Sequence, residues 1–274
     1  MTPPQSTTPD HIVIEPRRPR FDFSDTPRHW LRDPFTSQFM NALSVFIPFS
    51  ERTVIEILRK YRDRVSDPKL RAEIEALIRQ EGSHALLHRQ TNQALVRCGY
   101  RAVPAFERLQ KAFFQQVRRW APEAFEIAIP AAFEHFTAAV AKDFLRERDF
   151  WAGGQSNGGL EFATWHALEE VEHQAVCLDF YLAQRPAPWI LTLSLLLLWM
   201  PATVVSIYGV QLYLLHKDRL LYRPCNWWPY LRFVWRTLPM LLAGAWKYLK
   251  TDYRTWGADD EDLYMRQKQN LPRA

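Results

Sequence analysis

Glycine is scarce, nine residues in 274, and neither G-x-G-x-x-G nor G-x-x-x-x-G-K-[ST] occurs, so a Gly-rich nucleotide-binding α/β fold has no support. Cysteine is scarcer still. Cys98, Cys177 and Cys225 are an odd number without C-x-x-C spacing, which excludes a disulfide framework or a zinc ribbon and suits a reducing compartment. No H-E-x-x-H, G-x-S-x-G or Ser-His-Asp order is present, so single-zinc proteases and nucleophilic hydrolases are unsupported. The N-terminus has no apolar core of a signal peptide; it is proline-rich and carries Arg17-Arg18-Pro19-Arg20, and residues 1–33 are expected to form a disordered arm on a cytoplasmic protein.

What remains is the composition of a folded protein, 47% apolar and 24% charged. The net charge of +5 suits an anionic surface and falls short of a nucleic-acid signature, so no nucleic-acid partner is expected. The segmentation is helical throughout. Pro34–Phe46 reads as a short helix ended by Pro48, and Ser50 as the N-cap of a second helix to about Arg64. Asp67-Pro68 opens a long helix ending at Cys98-Gly99, and a connecting helix runs from Pro104 to Trp120. Pro122 opens a further helix to about Trp151; after the Gly-rich loop 153–159, one from Leu160 to about Gln184 follows. The expected fold is all-α, a four-helix bundle over 34–185, followed by an apolar segment over 186–254 and a polar tail over 255–274.

Ala187 to Leu215 carries no charged residue, and Pro201 divides it into two pieces shorter than a membrane-spanning helix. A hydrophobic hairpin is expected, with the aromatic and basic residues from Trp227 to Tyr248 at headgroup level, so residues 187–250 would hold the protein on a membrane surface. The competing reading is that these segments cover the bundle as additional helices.

The chemistry lies in two Glu-x-x-His pairs, Glu81/His84 and Glu170/His173, whose spacing puts carboxylate and imidazole on one helical face. The helix before each pair offers one glutamate, Glu51 and Glu134. About the turn near Ser66, Glu51 and Glu81 reach the same depth; about the Gly-rich loop, Glu134 and Glu170 miss by roughly 10 Å at about 1.5 Å per residue. His166 shares the inward face with Glu170 and His173, whereas Glu169 and Glu172 turn towards the flanks, Glu169 as a supporting partner. His88, one turn beyond His84, is read as a supporting partner too.

Four glutamates and two such pairs on four helices form the di-metal carboxylate pattern of ferritin-like proteins. The strings Pro48-Phe49-Ser50-Glu51, Gln80-Glu81-Gly82-Ser83-His84, Phe133-Glu134-His135-Phe136 and Trp165 to His173 resemble a bacterial family called predicted metal-dependent hydrolase, over about residues 40–250. That resemblance implies a ferritin-like metal site at Glu51, Glu81, His84, Glu134, His166, Glu170 and His173. The pattern His166-x-x-x-Glu170-x-x-His173 is also similar to that of three-histidine di-iron N-oxygenases, which implies His166 as an extra ligand on one iron.

Such an oxygen- and nitrogen-donor set suits two iron ions, with manganese or zinc as alternatives. The expected function is dioxygen-dependent oxidation of a small or membrane-borne organic substrate, which also calls for an electron donor. The alternatives are a hydrolase using metal-activated water and a non-enzymatic iron-binding protein; a homodimer is open.

Overall fold

A computed structural model describes residues 5–24, 26–184, 187–196, 200–247 and 255–269. Residues 1–4 of the arm, 248–254 of the apolar segment and 270–274 of the polar tail lie outside the described residues. The chain is all-α: α1 (Pro34–Tyr61), α2 (Pro68–Arg97), α3 (Val103–Trp120), α4 (Glu123–Arg146), the short α5 (Arg148–Trp151), α6 (Gly158–Glu172), α7 (Val176–Ala183), α8 (Pro188–Ser194), α9 (Met200–Lys217), α10 (Trp227–Lys247) and α11 (Ala258–Lys268). No strand occurs among the described residues. The packed centre is made by α1, α2, α4 and the α6–α7 pair, with α3 bridging α2 to α4 and lying against α1.

α1 departs from the sequence expectation. Asp33 caps its start, accepting from the backbone N–H of Phe35 and Thr36, and the helix then runs unbroken through Pro48. Proline removes the hydrogen bond to the carbonyl four residues back, which here is Ser44; the Asn92 amide of α2 donates to that carbonyl instead, at 3.0 Å. Ser50 is therefore not an N-cap. Its hydroxyl donates to the Phe46 and Ile47 carbonyls, and Glu51 sits deep inside one 28-residue helix.

α4 also ends earlier than expected, at Arg146, and the chain turns through α5 before α6 starts at Gly158. Glu134 then stands twelve residues before the end of α4 and Glu170 twelve after the start of α6. The depth mismatch disappears because the last residues before the Gly-rich loop are not part of the long helix. The expected helix to Gln184 is itself interrupted: α6 stops after Glu172, and His173 takes a non-helical conformation (φ −104°, ψ 11°) before α7 resumes at Val176.

The arm is ordered, contrary to the expectation from its sequence. Residues 5–24 and 26–33 lie along the helices rather than in solvent: Ile12, Ile14, Phe23, Trp30 and Leu31 are buried. The Thr7 backbone N–H donates to Asp179 at 2.7 Å and the Ser6 hydroxyl to Glu73 at 2.7 Å. Apolar residues spaced between prolines carry no helical period, which is why the segment reads as unstructured while still burying side chains on a surface that helices provide. At the start of α6 the arm passes so close that a Cβ on Gly158 would collide with the Asp22 carbonyl, so this position requires glycine.

The apolar segment covers the helices. α9 starts at Met200-Pro201 and lays Thr203, Ile207, Val210, Gln211, Leu214 and Leu215 inward, mainly on α1. Gln211 donates to the Phe35 carbonyl at 2.9 Å. Among the described residues α4 alone is long and apolar enough to cross a membrane, and it is a mostly buried core helix.

Candidate metal centre

Each helix of the packed centre delivers its part of the cluster: Glu51 from α1, Glu81 and His84 from α2, Glu134 from α4, His166 and Glu170 from α6, and His173 at the α6 terminus. All seven are buried. One group comprises Glu51, His84, His166 and Glu170, the other Glu81, Glu134, Glu170 and His173; within each, the facing oxygen and nitrogen atoms lie within 4.8 Å of one another. Glu170 belongs to both. His166 Nε2 is 2.8 Å from Glu170 Oε1 and 3.7 Å from Glu51 Oε1, and His84 Nδ1 is 3.4 Å from Glu81 Oε1. On the other side His173 Nε2 lies 3.0 Å from Glu134 Oε2, 3.4 Å from Glu81 Oε1 and 3.5 Å from Glu170 Oε2.

Most of these atoms have no hydrogen-bond partner. Both oxygens of Glu51, Glu81 and Glu134, Oε2 of Glu170, Nδ1 of His84 and Nε2 of His173 are buried and unsatisfied. Buried polar groups are ordinarily paired, and unpaired buried carboxylates are costly. Nine such atoms converging on one interior point fit a pair of adjacent cations, and the mixed carboxylate and imidazole set fits hard or borderline metals.

The other nitrogen of each imidazole is tied outward. His84 Nε2 lies 3.0 Å from Glu169, His173 Nδ1 3.1 Å from Gln80, and His166 Nδ1 3.1 Å from His88, whose Nδ1 in turn is 2.9 Å from the Ser44 hydroxyl. A partner on one ring nitrogen fixes the ring and turns the other nitrogen's lone pair inward, the usual construction around ligating histidines. Aromatic rings hold the orientation: Trp165 stands edge-on to His84, and Phe162 stacks on His166.

Glu169 and Glu172 are fully buried, so they are supporting residues behind the cluster and not part of the surface. Arg17 of the arm reaches both, donating to Glu169 at 2.8 Å and to Glu172 at 2.9 and 3.0 Å. Glu172 also accepts from Gln80 at 2.7 Å and from Tyr264 of α11 at 2.5 Å. Sequence reasoning missed Arg17, Gln80 and Tyr264. Two carboxylates in an interior helix, Glu169 and Glu172, were the available signal that a cation had to come from elsewhere.

The electrostatics match a site built for cations. Burial, then the Glu81 charge, raises Glu51 well above the ordinary carboxylate value and pushes Glu134 up to about 8. Burial opposes ionisation of Glu170 too, yet His173 and His166 hold it well below its usual value. Burial would lower His84 and His173; Glu169 and Glu81 for the first, and Glu134 and Glu170 for the second, bring both well above. His166 is pushed down by burial and by neighbouring His84, and His88 by burial and by His166. Metal binding at such a site releases protons from the carboxyls and imidazoles it displaces.

An all-α protein with paired carboxylate and imidazole clusters in its interior belongs to the class of helical proteins with a candidate two-metal site. The description "predicted metal-dependent hydrolase" matches residues 15–259, and the chain belongs to that family. No curated protein and no solved structure matches the chain.

Proposed function

We propose that this chain is a di-iron enzyme that oxidises a small organic substrate with dioxygen. The metal centre in this reading is supported by the set of nine unsatisfied buried oxygen and nitrogen atoms shared between two adjacent groups, and the choice of iron by their mixed carboxylate and imidazole chemistry. A glutamate from each of two helices and a Glu-x-x-His pair from each of two others is the arrangement of ferritin-like carboxylate proteins, which hold iron or manganese. Bound iron would supply the redox equivalents and open coordination positions that no side chain here offers. The chain's own contribution is to hold: Glu170 spans both groups, Glu51, Glu81 and Glu134 balance charge, and Glu169, Gln80 and His88 keep the three imidazoles turned inward. The enzyme is proposed to work on the cytoplasmic face of a membrane, a reading supported by the exposed aromatic face of α10.

A second reading, hydrolysis by metal-activated water on the same residues, is favoured by the family's description. Metal analysis of protein purified without added metal, then anaerobic ferrous reconstitution and exposure to dioxygen, separates the two. Two irons per chain with dioxygen consumption is expected. Bound zinc or manganese with no response to dioxygen would transfer the assignment to hydrolysis, and a chain that binds no metal would overturn both.

A further inference from the structure

His166 and Glu170 of the cluster also line a cleft between α1, α2, α4 and α6, roofed by Phe23, Thr26, Pro27 and Trp30 of the arm. The walls are hydrocarbon: Leu43 and Ile47 from α1, Leu95 from α2, Val140 and Phe144 from α4, and Phe162 from α6.

The polar side chains along the cleft are largely committed elsewhere. Asn41 accepts from the Trp30 indole and donates to Gln38, Ser44 is bonded to His88 and Asn92, and the Thr91 hydroxyl donates to the Leu87 carbonyl. Arg28 is the cation at the rim, and its guanidinium is engaged by Asp218 at 3.1 Å and the Cys98 carbonyl at 2.8 Å. A hydroxyl without a partner remains in the roof, Thr26 Oγ1. A cationic ligand would therefore bury its charge unpaired, with Arg28 at the rim and the metal site at the other side, whereas an apolar body with a neutral polar end meets no such penalty.

We infer that this cleft is the substrate site and that it takes an organic molecule with a hydrocarbon body and no positive charge, whose reacting end lies against the His166 and Glu170 side chains. The inference rests on the reading of the cluster as the reactive centre and adds the substrate class.

The test uses the full chain, metal-loaded, in calorimetric titration with 1-octanol and with octylammonium as neutral and cationic probes of equal length. Saturable binding of one octanol per chain is expected, with octylammonium at least about tenfold weaker, since an unpaired buried ammonium costs more than about 1.4 kcal/mol. Ala141→Phe, which fills the cleft from α4, is expected to abolish octanol binding with metal content unchanged. Ala94→Phe at the half-buried rim keeps the test open where the first variant fails to fold. Equal binding of octylammonium, no saturable octanol binding, or octanol binding unchanged in both variants would overturn the inference. Octanol binding blocked by the variants in a chain that holds no metal would keep the binding site and overturn the reading of the centre instead.

Discussion

Arg17 carries two interior carboxylates at once, and through them it reaches both ends of the metal cluster. Glu169 holds His84, and Glu172 holds the Gln80 amide that holds His173. Burial would lower the guanidinium, but Glu172 and Glu169 raise it, so it stays charged. Lysine in its place keeps the charge and loses the planar two-pronged geometry. Arg17→Lys is therefore expected to weaken metal binding by about tenfold to a hundredfold, the usual effect of disturbing groups behind the ligands. His173→Ala and Glu81→Ala should abolish binding. Metal titration against a chelator checks all three, beside melting of the metal-free proteins; an Arg17→Lys protein with unaltered metal affinity would show that Arg17 only staples the arm. Five of the seven inner positions, Glu81, His84, His166, Glu170 and His173, were legible because their spacing is local to helices, with intervals of three, four and seven residues, whereas Glu51 and Glu134 stand singly on theirs and joined the set through the family resemblance. Arg17 was not legible, because its partners lie 152 and 155 residues away and nothing in a basic run after a proline-rich stretch announces them.

At the scale of elements, tertiary contacts override local signals in two places. Pro48 reads as a helix end, and α1 continues because Asn92 of another helix takes the orphaned carbonyl. The arm reads as disordered, and it is ordered because the helices supply both its apolar bed and its polar anchors. One anchor is pH-sensitive. Burial pushes Glu73 up to about 7 although Ser6 and Lys69 oppose it, and Asp179 and Asp67 add repulsion. A carboxyl whose folded-state value is raised contributes stability that is full below its unfolded value of about 4.5 and is lost as pH rises through about 7. Metal-loaded protein, in which the cluster's own protons are already displaced, is thus expected to melt at lower temperature at pH 8 than at pH 6. Glu73→Gln should flatten that slope, and identical slopes in the two proteins would remove Glu73 as its origin. The neighbouring bonds from Thr7 to Asp179 tie this titration to docking of the arm, so proteolysis of residues 5–15 should quicken over the same range.

For the whole molecule the question is what the apolar C-terminal third does once α9 is seen to pack on α1. α10 has two faces. Phe233, Thr237 and Leu241 point inward, and Phe233 meets Phe39 at 5.4 Å between ring centres. Trp228, Leu231, Trp235 and Leu242 form the opposite stripe, with Trp228 68% and Trp235 84% exposed. Soluble surfaces seldom leave such residues in a row without a partner. The charge around them has one sign: no Asp or Glu occurs from Arg219 to Thr251, and Arg219, Arg223 and Arg232 are exposed. An apolar stripe with tryptophans flanked by arginines is suited to lie at the headgroup level of an anionic bilayer, where each basic side chain adds about 1 kcal/mol. The expected outcome is co-sedimentation with phosphatidylcholine vesicles containing phosphatidylglycerol, weaker at high salt and weaker still with phosphatidylcholine alone. Trp228→Ser with Trp235→Ser, both at exposed positions, should release the protein while leaving its melting temperature and metal content unchanged. If the wild-type chain stays in the supernatant with anionic vesicles, the stripe is not a membrane face; if the double variant binds as tightly as wild type, the attraction is charge alone and the tryptophans play no part in it.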